Sequence, residues 1–144
     1  MNDYNDIYTN GYLERKFDGK YEGRIHIEGV DLSPIVGVYF KEKGEDYLWL
    51  KRKPILEYDE TTQTYQEKQR EPRWQVYLKK QSDKLVAYRG EFFFLRFRFS
   101  IVGIWDRVLS EHKNRINFFV ERMPYDKQYV INEINERNKR ANEK

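Results

Sequence analysis

Apolar and polar residues alternate with a period of two along most of this chain, the pattern of strands with one buried face. Tyr21, Gly23, Ile25 and Ile27 fall on one side of such a segment, and Lys20, Glu22, Arg24, His26 and Glu28 on the other. Asp18-Gly19 supplies a tight turn before it, so Tyr12 to Phe17 and Lys20 to Glu28 are expected to form a hairpin. Gly29 to Pro34 breaks the pattern, Ile35 to Lys41 resumes it, and Lys43-Gly44 turns the chain again. From Asp46 to Lys53, Leu48 and Leu50 share one face and Tyr47, Trp49 and Lys51 the other, with Pro54 ending the strand. Asp59 to Thr64 reads as a polar loop or hairpin tip.

The second half repeats this grammar. Trp74, Val76 and Leu78 point inward from Arg73 to Lys80, opposite Arg73, Gln75, Tyr77 and Lys79. A turn at Ser82-Asp83-Lys84 leads into Leu85 to Arg89, and Glu91 to Ile101 reads as the longest strand. Its alternation assigns Phe93, Leu95, Phe97 and Phe99 to the core and Phe92, Phe94, Arg96 and Arg98 to the other face. Ile116, Phe118 and Val120 mark a last strand within Asn114 to Arg122. After Pro124 the spacing of Val130, Ile131 and Ile134 becomes helical, with Asp126 as the N-cap, which predicts a helix at about 126–140 that frays toward its end.

Strand after strand at roughly ten-residue spacing, then one helix, predicts a mainly β fold: a small antiparallel β-barrel or sandwich. An OB-type Greek-key barrel is one form of it. A barrel is favoured because a closed sheet has no edges to protect. The 144 residues suit a single domain, expected over residues 12–144, with residues 1–11 a mobile polar tail. Composition supports the class: aromatic residues make up 17%, and Ala, the best helix former, occurs only at Ala87 and Ala141.

Several chemistries are missing from the residues. With no cysteine there is no disulfide and no thiolate metal site. The two histidines, His26 and His112, stand in charged surroundings far apart, and no G-x-S-x-G or Gly-rich phosphate loop is present. Asp59-Glu60 falls in a turn, where Asp is favoured for backbone reasons. The expectation is a binding module, not an enzyme, with no cofactor and no metal. The first residues lack the basic and apolar regions of a signal peptide, and no apolar run is long enough to span a bilayer, so a cytoplasmic protein that engages no membrane is expected.

Charge adds a location. Lys68 to Arg98 holds nine basic residues against three acidic ones, a balance of +6 where the whole chain carries +3. Aromatic rings interleave with these cations, as single-stranded nucleic acid requires for base stacking and phosphate neutralisation. The residues expected to carry this binding are Tyr47, Trp49, Lys51, Arg73, Tyr77, Lys79, Phe92, Phe94, Arg96 and Arg98. The competing expectation is structural: Val130, Ile131 and Ile134 pack on Phe92 and Phe94 while Arg96 and Arg98 snorkel at the border. An alternative function is a protein–protein interaction or assembly module, of a virus or mobile element for instance, with a protein partner or a second copy as its target. A barrel enclosing a small apolar ligand is less favoured, because Phe97 and Phe99 would fill its interior.

Overall fold

The computed structural model describes residues 9–82, 86–106, 114–124 and 127–142. The alternating segments form β1 (Gly11–Arg15), β2 (Tyr21–Ile27), β3 (Val30–Asp31), β4 (Ile35–Glu42), β5 (Glu45–Arg52), β6 (Ile55–Asp59), β7 (Thr64–Lys68), β8 (Gln75–Lys80), β9 (Tyr88–Phe94), β10 (Phe97–Trp105) and β11 (Arg115–Arg122), followed by α1 (Lys127–Asn142). Eight of the strands close into an antiparallel barrel in the order β1-β11-β10-β9-β8-β5-β4-β2, with β2 paired back to β1. Around the ring each strand neighbours the barrel strand before and after it in sequence. This is an up-and-down barrel, not the five-stranded Greek key of an OB fold. β3 is a two-residue bridge on β2, and β6–β7 is a separate hairpin inserted between β5 and β8.

The interior is filled. Leu13, Ile25, Leu48, Leu78, Ile101 and Phe118 are fully shielded, and with Trp74, Phe92, Phe99 and their neighbours they make one apolar cluster. Hydrophobic burial of this kind contributes about 1.5–3 kcal/mol per large side chain. The expected inward sets on β2, β5, β8 and β11 all lie on this core.

The run at Phe92 to Phe99 departs from the expectation. It is not one strand but the end of β9, a two-residue turn at Leu95-Arg96, and the start of β10. Phe94 pairs with Phe97 and Phe92 with Phe99 across that turn. Both turn residues have positive φ, 52° at Leu95 and 69° at Arg96, as the tight hairpin turn that matches strand twist demands. The turn inverts the face assignment on its N-terminal side. Phe92 (8% exposed) and Phe94 (7%) are core, whereas Phe93 (41%), Leu95 (48%) and Phe97 (45%) are exposed. Phe99 alone of its predicted set is buried.

Neither Leu nor Arg adopts positive φ freely, and each such residue costs about 1 kcal/mol. The other two-residue turns of this type, Glu28-Gly29 and Lys43-Gly44, carry glycine second. Arg96→Gly is therefore expected to stabilise the protein by about 1 kcal/mol, read as a raised urea midpoint with unchanged slope. An unchanged or lowered midpoint would contradict this turn geometry.

The barrel also begins earlier than expected. Residues 1–8 lie outside the described residues, but Gly11 already belongs to β1 and Asn10 is 6% exposed. The Asn10 backbone N–H donates to Phe118 O (2.9 Å), and its carbonyl accepts from His26 N–H (2.8 Å). Its side chain repeats the bridge, Nδ2 donating to His26 O (3.1 Å) and Oδ1 accepting from Val120 N–H (2.8 Å). One residue thus ties β2 to β11 just before β1 fills the gap between them.

The helix runs through Asn142, beyond the end expected for it. Its Ile131 and Ile134 side chains are 39% and 51% exposed, so they do not cover Phe92 and Phe94, which the barrel itself buries. Asp126, the Val130 side chain, the predicted turn at Asp83-Lys84, the start of the predicted strand at Leu85, and His112 lie outside what is described. No helix among the described residues is long and apolar enough to cross a membrane.

Candidate nucleic-acid interface

The outer surface of β4, β5 and β8 follows from strand parity. With Leu48, Leu50, Val76 and Leu78 turned inward, Tyr47, Trp49, Lys51, Tyr77 and Lys79 must turn outward. Register then sets them side by side: Trp49 pairs with Tyr77, and Tyr47 with Lys79. The rings form a ladder. Tyr47 stacks on Phe40 (centroids 5.3 Å apart, planes 13°), Phe40 meets Tyr77 edge-on (5.8 Å), and Tyr77 stacks on Trp49 (5.7 Å, 11°). The Lys51 ammonium lies 4.4 Å over the Trp49 ring, and Trp49 Nε1 donates to Gln75 Oε1 at 3.0 Å.

At the Trp49 end the ladder opens into a groove of about 540 Å³, bounded by the outer faces of β5 and β8, by Phe93, and by the chain entering and leaving the β6–β7 hairpin. Five cations, Lys51, Arg52, Lys68, Arg70 and Arg73, line it against one carboxylate, Glu67. Two of the five are paired: Lys68 with Glu57 (2.5 Å) and Arg73 with Glu71 (3.3 Å). Lys51, Arg52 and Arg70 have no carboxylate within 4.0 Å among the described residues. Backbone carbonyls hold the two arginines instead. Arg52 donates from Nε to Leu32 O (3.1 Å) and from Nη1 to Pro72 O (3.0 Å), and Arg70 from Nε to Lys53 O (2.7 Å). Burial, and then the nearby Arg70 charge, push the Arg52 pKa below its ordinary value. Asp31 and Glu71 act on Arg52 only from beyond ion-pair distance, so the groove keeps an excess of positive charge.

Five of the ten predicted residues, Tyr47, Trp49, Lys51, Tyr77 and Lys79, come together on this face, and Arg73 lines its groove. Lys79 faces Glu45 at 3.8 Å. Phe92 and Phe94 do not belong to the face, because the Leu95-Arg96 turn places them inside the barrel. Arg96 sits in that turn and Arg98 pairs with Glu91; neither lines the groove. Comparison with known protein families, curated proteins and solved structures finds no match. The site itself therefore carries the functional argument.

Strand alternation missed four contributors: Phe40, Arg52, Arg70 and Phe93. Phe93 was hidden by the turn. Arg52 was legible as an anomaly, an arginine on the Leu48 and Leu50 parity just before Pro54, where a strand reaches the barrel rim. Phe40 follows from the parity of β4 once Ile35 is placed inward. Arg70 follows the last residues of the hairpin, and no periodicity points to it. Among the described residues no cluster of three His, Asp or Glu side chains is arranged to hold a metal ion.

Proposed function

We propose that this protein binds single-stranded nucleic acid along the outer face of β4, β5 and β8, with the groove beside Trp49 as its strongest subsite. One observation carries the reading: Trp49 and Phe93 share a concave wall with three cations that have no carboxylate partner. Stacking on an aromatic ring contributes about 1–3 kcal/mol per base, and each neutralised phosphate adds a salt-dependent increment. Trp49 stacks against Tyr77, and the Lys51 ammonium lies over its ring in the free protein. A base gains the Trp49 face by displacing the Lys51 ammonium, which is then free to meet the adjoining phosphate. Binding exchanges a cation–π contact for a stacked base and an ion pair.

Fluorescence anisotropy with a labelled oligothymidylate of about 15 nucleotides tests this, a length near the upper end of the about 4–16 nucleotides that single-strand-binding OB folds cover. Trp49→Ala is expected to weaken binding about 5- to 150-fold, the equivalent of one lost stacking contact. Equal affinities for the variant and the parent protein would remove Trp49 from the site. A second reading, a protein partner, is favoured by the adjoining surface: Leu95 and Phe97 stand exposed at the β9–β10 tip beside Phe93. Aromatic and apolar anchors of that kind suit a protein interface.

A further inference from the structure

We propose that Arg52 and Arg70 form a subsite for a terminal phosphate monoester, the dianionic end of a bound strand, in place of an internal phosphodiester. The inference rests on the reading that the groove receives a single strand. Geometry places the two guanidiniums together: Arg70 Nε is fixed to the carbonyl of Lys53, the residue next to Arg52, while Arg52 is fixed to Leu32 O and Pro72 O. These anchors leave both Nη groups of Arg70 and part of the Arg52 fork without a hydrogen-bond partner among the described residues. All three anchors are neutral carbonyls, so they orient the guanidiniums without cancelling their charge.

Charge then selects the ligand. The two adjacent guanidiniums repel each other, Asp31 and Glu71 offset the Arg52 charge only from beyond ion-pair distance, and a phosphodiester, with one negative charge, leaves the pair short of balance. A phosphate monoester carries nearly two negative charges at neutral pH and presents three oxygens to the two forks. Topology points to an end as well. Arg52 closes β5 at the barrel rim, and Pro54 leads straight into the β6–β7 hairpin. A strand tracking Tyr47, Trp49 and Lys51 down the outside of β5 meets this chain crossing its path, with Arg52 and Arg70 both lining the groove at that point.

The test compares three oligothymidylates of one length, carrying a 5′-phosphate, a 3′-phosphate or neither, each labelled internally. One phosphorylated end is expected to raise affinity about tenfold or more, and Arg70→Gln, which spares the Arg52 anchors, to abolish that gain, so that phosphorylated and unphosphorylated strands bind the variant equally, each more weakly than they bind the parent. Circular dichroism confirms that the variant is folded. Equal binding of all three oligonucleotides overturns the subsite and leaves the groove reading standing. Absence of binding by any of them at low salt overturns both. Displacement of the oligonucleotide by an equal concentration of thymidine monophosphate assigns the arginines to a free nucleotide and overturns the strand end.

Discussion

Gly23→Ala is expected to unfold the protein or leave it with only a fraction of its stability. At the seam where β1 closes on β2, Leu13 lies opposite Gly23 and Gly11 opposite Ile25. A Cβ on Gly23 would stand 1.8 Å from the Tyr12 carbonyl oxygen, and one on Gly11 1.9 Å from the Arg24 carbonyl oxygen. Both obstacles are backbone, so no side chain can swing aside to relieve them. The strands must separate, and their hydrogen bonds are what complete the ring. Domains of this size are stable by about 5–15 kcal/mol in total, and a lesion of this kind falls in the exceptional class above about 4 kcal/mol. Gly37→Ala provides the contrast. Its Cβ meets the ends of Leu13 and Leu48, the closest at 2.6 Å, which is ordinary overpacking of about 1–3 kcal/mol. Thermal melts followed by circular dichroism should rank the two variants in that order. A Gly23→Ala protein that melts with the parent would show that the seam is looser than described.

Asn10→Ala carries the second large effect, a loss of about 2–4 kcal/mol. The substitution removes two side-chain hydrogen bonds, one to the His26 carbonyl and one from the Val120 N–H, and strands the Val120 N–H in a part-buried place. Orphaning a buried polar group costs about 1–3 kcal/mol, more than the hydrogen bond itself is worth. The backbone bonds of Asn10 to Phe118 and His26 survive the change, so the barrel should remain folded but weaker. Chemical denaturation measures this directly. A shift below about 0.5 kcal/mol would place Asn10 among ordinary surface residues and contradict its role as a clasp across the seam.

Strand parity made most of the core readable because period two leaves little choice where one face is buried. Leu48 and Leu50, Val76 and Leu78, and Ile116 and Phe118 all lie where alternation puts them. Among the described residues, two of the three tight turns with both central residues at positive φ were legible from glycine, at Gly29 and Gly44. The third was not. Leu95 and Arg96 hold that geometry with side chains that disfavour it, and an eight-residue aromatic run without Gly, Asn or Asp gives no signal of reversal. One missed turn exchanged Phe92 and Phe94 for Phe93 in the candidate site. The same physics explains why Tyr47, Trp49, Lys51, Tyr77 and Lys79 were recoverable: each lies in a strand whose inward residues are unambiguous. Arg70 was not recoverable, because its place in the groove depends on how the β6–β7 insertion folds back against β5, a long-range arrangement without a local pattern.

The basic excess from Lys68 to Arg98 overlaps the proposed groove only in part. Lys68, Arg73, Lys79 and Arg98 face carboxylates and contribute little net field. The potential that matters comes from Lys51, Arg52 and Arg70, two of which lie outside that segment. Pairing decides which cations are available, and pairing is visible only in three dimensions.

Titration of the labelled oligothymidylate across a range of salt concentrations tests the nucleic-acid interface most directly. With three cations available in the groove, the logarithm of affinity should fall linearly with the logarithm of salt, with a slope of about −2. Binding that is absent at about 20 mM salt, where electrostatic contacts are least screened, or that does not change with salt, would contradict the proposed interface.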